Sequence, residues 1–313
     1  MKTKNIIILF ATIIISILTC ELILRKIGLT KFVIYYPSNF YGYYHEPNQN
    51  LQSRFNKNIY LDKLGNRNPK ENNIENSNLF FLGDSVTYGG SIVSNQETFA
   101  SLIADKKQKK YLNISANGWG IPNIINFIDF HNLYKENSTY ILTCINDCFT
   151  RNIRKIEQSF LFKKKSKFAL INLFKFALHK FNNINYSLAK SSTGVNKEFT
   201  RKDNIKTINY SVNRLKQFDD KLKSLNSNLI FVYSPNSDYI KKTFTNNPIF
   251  EDDPYRNIIL KLITNSEIKF INIIEYFSEK ELNNFGRFYI DKVHLSKEGH
   301  NLYVKILSNI IDE

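Results

Sequence analysis

Five short apolar runs, each bordered by a stretch with helical spacing, constrain this chain more than any other feature. The runs are Asn78–Leu82, Tyr111–Ser115, Tyr140–Ile145, Asn228–Tyr233 and Ile268–Ile273. Helical patterns lie near 96–108, 121–135, 204–225, 254–264 and 296–312. Strands buried on both faces read as near-continuous apolar runs, and strand–helix alternation builds an open parallel sheet with helices on both sides. The expected fold class is therefore α/β. Such sheets place their sites at the carboxyl ends of the strands, so the residues just after each run matter most.

The chain also begins with an apolar stretch. Asn5 to Leu24 is almost wholly hydrophobic and is broken late by Glu21. Twenty residues at about 1.5 Å each match the roughly 30 Å of a bilayer core. Lys2 and Lys4 precede it, but no A-x-A cleavage site follows. An uncleaved signal anchor is the first reading; a lipoprotein on Cys20 is the second, because Thr19 is larger than the usual preceding residue. Arg25, Lys26 and Lys31 balance Lys2 and Lys4, so the positive-inside rule does not fix an orientation. The expectation is a membrane-anchored protein with its main domain periplasmic or extracellular. The domains are read as an anchor over 1–31, a polar Tyr- and Asn-rich lead-in stalk over 32–76, and one domain over 77–313.

Net charge is +15, from 43 Lys and Arg against 28 Asp and Glu. A net charge of +9 falls within residues 151–190, where Phe and Leu are interleaved with the bases and Glu157 is the one acid. This is part of an insertion assigned to 151–200. A basic, Phe-laced helix suits a membrane interface; a solvated insertion packed on the domain is an equal alternative. With no nucleic-acid motif alongside, nucleic acid is not an expected partner. The 25 Phe and 18 Tyr exclude a disordered chain, and three Cys exclude a disulfide framework. Cys144 and Cys148 are not spaced as C-x-x-C; Cys144 reads as inert packing, with a local disulfide as the weaker alternative. No metal-ligand spacing surrounds them.

Four segments carry candidate chemistry. The first run ends in Gly83-Asp84-Ser85-Val86-Thr87, a Gly-flanked turn that can present a nucleophile at a sheet edge. The second leads through Asn113 to Gly118, which can bring a backbone N–H close to a substrate; a plain turn would need the glycine equally. The third leads to Asn146-Asp147, either an amide aimed at developing negative charge or simply a turn. Near the end, Asp291 and His294 share one short loop ahead of Ser296, a natural N-cap.

These four segments, in this order, resemble the SGNH (GDSL-type) hydrolase family. The likeness covers roughly residues 77–312, and Tyr60 to Arg67 resembles the segment before the first strand in membrane-anchored members. The resemblance implies a flavodoxin-like three-layer α/β/α sandwich with a five-stranded parallel sheet. It implies Ser85 as nucleophile, His294 as general base and then acid, and Asp291 as its orienter. The oxyanion hole would be the Ser85 and Gly118 N–H groups and the Asn146 side chain. No cofactor is implied. One departure stands out: Cys144 occupies the position of a usual glycine two residues before Asn146, where a side chain would narrow the pocket or change the approach to Asn146. The insertion after the third segment would act as a lid.

The first functional expectation is a serine esterase acting on O-acetyl or other short acyl esters of a cell-envelope glycan. An O-acetyltransferase shares the acyl-enzyme and differs only in its acceptor. A lipid esterase at the membrane surface is supported by the Phe-rich basic insertion. A non-catalytic glycan-binding member is disfavoured by the intact Ser85, Asp291 and His294.

Overall fold

The computed structural model describes residues 3–53, 55–69, 71–145, 147–151, 165–187, 201–238, 240, 263 and 266–311. Asn146, most of the 151–200 insertion and all but Ile263 of the helical pattern at 254–264 lie outside them.

Every residue of β5 (Leu79–Gly83) and β6 (Tyr111–Ser115) is buried, as are all but the first of β7 (Thr139–Cys144) and β8 (Asn228–Tyr233). With β9 (Lys269–Asn272) they form a five-stranded parallel sheet in the order β6-β5-β7-β8-β9. Counted along the chain this is 2-1-3-4-5, the flavodoxin-like order. Side chains alternate between two cores. Phe80 and Leu82 join Ile124, Phe127, Leu215 and Phe218, from α4 (Ile121–His131) and α6 (Arg201–Lys223). Leu79 and Phe81 join Phe99, Ile103, Tyr303 and Leu307, from α3 (Phe99–Lys106) and the C-terminal helix Lys297–Ile310. The α/β/α sandwich is therefore the observed fold. Ser296 caps that last helix by accepting from the Gly299 N–H at 3.1 Å.

The lead-in departs from expectation. It is not a free stalk but part of the domain. Hairpins β1 (Tyr35–Ser38) with β2 (Gly42–His45), and β3 (Asn50–Gln52) with β4 (Asn58–Tyr60), bury Tyr35, Tyr43, Tyr44 and Ile59 in the α4/α6-side core. Tyr44 stacks on Trp119 with centroids 4.7 Å apart while its hydroxyl donates to Asn66 Oδ1 at 2.8 Å. Tyrosine carries a large apolar body and a satisfiable tip, so a polar-looking segment can still be core.

Helix α1 (Thr3–Lys26) is 24 residues long and holds an 18-residue stretch with a mean hydropathy of 2.7, long and apolar enough to cross a membrane.

Candidate active site

The first link is the turn after β5. Gly83 passes so close to β7 that a Cβ there would stand 2.6 Å from the Thr143 carbonyl oxygen. Ser85 then opens a one-turn helix, α2 (Ser85–Tyr88), capped by Asp84, whose Oδ1 accepts from the Val86 N–H at 3.0 Å. Ser85 is 8% exposed. The lead-in clamps the far side of this turn. The fully buried Arg67 donates to the carbonyls of Tyr88 at 2.5 Å and Gly90 at 2.7 Å, to that of Val93, and to Asn95 Oδ1 at 3.0 Å.

The second and third segments reach the same sheet edge, because Ser115 and Thr143 flank Gly83 in register. Gly118 has φ +76°, a left-handed conformation, and a Cβ would lie 3.0 Å from Tyr43 Oη. A glycine is thus required for both reasons. The Tyr43 hydroxyl donates to the Asn117 carbonyl, and the Trp119 indole N–H to the Tyr43 carbonyl at 2.9 Å. Cys144 and Cys148 are joined as a disulfide with Cα atoms 6.0 Å apart, within the usual span. Cys144 is therefore bonded rather than inert, and its side chain is engaged with Cys148 instead of standing free.

The fourth segment is a self-contained acid–imidazole loop. Asp291 Oδ1 accepts the Val293 and His294 N–H groups, each at 2.8 Å, and Oδ2 lies 2.7 Å from His294 Nδ1. Burial pushes the Asp291 carboxyl up, but the backbone N–H groups of His294 and Val293 and the imidazole outweigh it and hold it below the ordinary range. An ionised carboxylate only accepts, so Nδ1 carries a proton and Nε2 is the ring nitrogen left open to other partners. The Ser237 N–H donates to the Lys292 carbonyl at 2.8 Å, tying this loop to the segment after β8. When protonated, the His294 imidazole favours the charged form of Asp84. Ser85, Gly118 and the Asp291–His294 pair therefore share the carboxyl edge of the sheet. The strand order reverses between β5 and β7, the crevice where such folds bind ligands.

One residue was hidden within the basic insertion. Arg151, 8% exposed, places Nη1 3.2 Å from Asp84 Oδ2 and 2.9 Å from the Trp119 carbonyl, and Nη2 2.6 Å from Asp147 Oδ1. It joins the neighbours of Ser85, Gly118 and Asn146. Burial alone raises the Asp84 carboxyl and lowers the Arg151 guanidinium; the two acids reverse the effect on Arg151, which ends above its ordinary value, while Asp84 stays above its own. The Asp147-x-x-x-Arg151 spacing was the available signal in the sequence.

The chain is similar to several solved structures. A protein described as lipolytic, of the G-D-S-L family, from Desulfitobacterium hafniense shares 12% identity at a TM-score of 0.42, covering 74% of this chain and 98% of its own. An acetylxylan esterase, Axe2, from Geobacillus stearothermophilus shares 12% at 0.39, covering 75% and 94%. A carbohydrate esterase family 2 enzyme from Corynascus (Myceliophthora fergusii) shares 11% at 0.42, covering 78% and 66%. No family model matches the sequence, and no curated protein matches it.

Proposed function

We propose that this protein is a serine ester hydrolase working through an acyl-enzyme, with short acyl esters of a cell-envelope glycan as substrate. The observation that carries the reading is the ordered Asp291–His294 pair at the sheet edge that also presents Ser85. In this reading Ser85 Oγ attacks the ester carbonyl and His294 Nε2 takes its proton. Asp291 holds the imidazole in the Nδ1–H form and stabilises the imidazolium. The N–H groups of Ser85 and Gly118 and the Asn146 amide receive the oxyanion. Collapse expels the alcohol, which takes the proton from His294. Water then repeats the sequence on the acyl-enzyme, and a sugar hydroxyl in its place would make the enzyme a transferase. The Cys144–Cys148 disulfide supports an oxidising compartment, consistent with a domain anchored outside the cytoplasm by α1.

A second reading, a lipid esterase, is favoured by one observation: exposed Phe168, Phe174 and Phe176 beside α1. Assay on an acetylated glycan against a lysophospholipid separates the two.

The test of the chemistry is Ser85→Ala. It should abolish hydrolysis of p-nitrophenyl acetate and labelling by a fluorophosphonate, with an unchanged far-UV circular dichroism spectrum. Full residual activity in that variant would overturn the assignment.

A further inference from the structure

Helix α5 (Ala169–Ser187) is fastened to the last turns of α1 by polar bonds. Glu21 accepts the Ala169 N–H on Oε1 and the Leu170 N–H on Oε2, each at 2.9 Å, so α1 supplies the cap for the first turn of α5. Arg25 completes the joint, donating to Glu21 Oε1 at 2.7 Å and to the Lys167 carbonyl at 2.6 Å. The Asn172 amide donates to the Leu29 carbonyl at 3.0 Å. Ala169 and Asn172 are fully buried. The acid that breaks the apolar run is thus consumed in this joint. From Thr3 to Glu21, α1 rises about 27 Å, and from Glu21 to Lys26 about 8 Å more. If α1 spans a bilayer, α5 starts at headgroup level on the domain side.

The other side of α5 is apolar and open. Ile171, Phe174 and Leu178, at i, i+3 and i+7, are 45%, 64% and 45% exposed, and Phe168 just ahead of the helix is 58% exposed. Lys167 and Lys175 flank this stripe, within the stretch of the chain that holds most of its net positive charge. We propose that the outer face of α5 lies in the interface of an anionic bilayer, with α1 and α5 forming one membrane-bound unit. Continuity with α1 and the flanking lysines select a lipid surface as the occupant. The proposal rests on the anchoring part of the reading above and not on esterase activity.

The full chain holds a single tryptophan, Trp119, which is fully buried and gives a constant background. Phe174→Trp and Leu178→Trp would each be reconstituted in vesicles of phosphatidylcholine with and without phosphatidylglycerol. Expected are co-flotation with the vesicles and loss of the new fluorescence to lipids brominated high on the acyl chain. Protection from aqueous iodide should accompany it, and both effects should be stronger with phosphatidylglycerol. Co-flotation with full iodide access and no bromine quenching would overturn the proposal while leaving the α1 anchor standing. Protection from both quenchers would assign the face to a second copy and overturn it equally. Failure to co-float would remove the anchor reading and this proposal together. Loss of fluorophosphonate labelling by the unsubstituted chain would touch only the esterase reading.

Discussion

Arg151 bridges three loops with one guanidinium, and its contacts make a sharp residue-scale prediction. Arg151→Met leaves the buried Asp84 carboxyl without its partner, which should cost about 3–5 kcal/mol of stability. Arg151→Lys keeps the charge but loses the fork that reaches Asp84 and Asp147 together. Turnover should fall on the order of 10² if the three loops shift by about an ångström, with KM nearly unchanged and folding retained. Steady-state kinetics beside a urea titration separates the two effects. An Arg151→Lys enzyme with parental kcat would count against the positioning role. At Gly118 the expectation differs. Gly118→Ala forces a side chain into a left-handed conformation against Tyr43, at roughly 1–2 kcal/mol. If its N–H receives the oxyanion, kcat should drop by about 10²–10³, far more than the stability loss would explain.

At the scale of elements, the disulfide and the lead-in both act on the sheet edge. Cys144 ends β7 and the Cys148 N–H donates to the Ile145 carbonyl at 3.3 Å, so the bond ties the end of β7 to the segment that carries Asp147. Cys148→Ser, or treatment with a reductant, should lower kcat while changing the melting temperature little, since a loop this short restricts few unfolded conformations. Equal kcat in the oxidised and reduced enzyme would leave the bond with no role in activity. The lead-in should behave in the opposite way. Removing residues up to 76 strips Tyr43 and Tyr44 from the core and Arg67 from the loop after α2. The shortened chain is expected to lose its cooperative thermal transition, which differential scanning calorimetry would report.

For the whole molecule, pH enters through two buried imidazoles. Burial lowers His45 and His300 from 6.5 to about 3. His300 uses its neutral form, accepting the Phe99 N–H on Nδ1 at 3.2 Å, and joins α3 to the C-terminal helix. Between the two values the unfolded chain binds more protons than the folded one, so stability is full above about 6.5 and falls as pH falls. Each imidazole withdraws about 1.4 kcal/mol per pH unit across that window. His300→Gln should flatten the acid limb of a stability-against-pH curve; an unchanged slope would refute this role.

Much of this molecule is determined by the sequence alone, and the reason is local. Parallel strands buried on both faces must read as apolar runs, so β5 to β9 were legible within a residue or so at their ends. Ser85, Gly118, Asp291 and His294 stood out because each lies in a short segment that resembles a block of a known family. Other features exist only through distance in the chain. Arg151 meets Asp84 across 67 positions, and its place in a basic stretch disguised it as surface charge. The lead-in looked like a stalk because its core residues are tyrosines, whose hydroxyls find partners only after folding. Glu21 looked like an interruption of an apolar helix until α5, 148 positions away, supplied the N–H groups it accepts. Local pattern sets which backbone forms where. Which polar groups become satisfied when buried is decided by tertiary structure, because burial without a partner costs more than any local preference can offset.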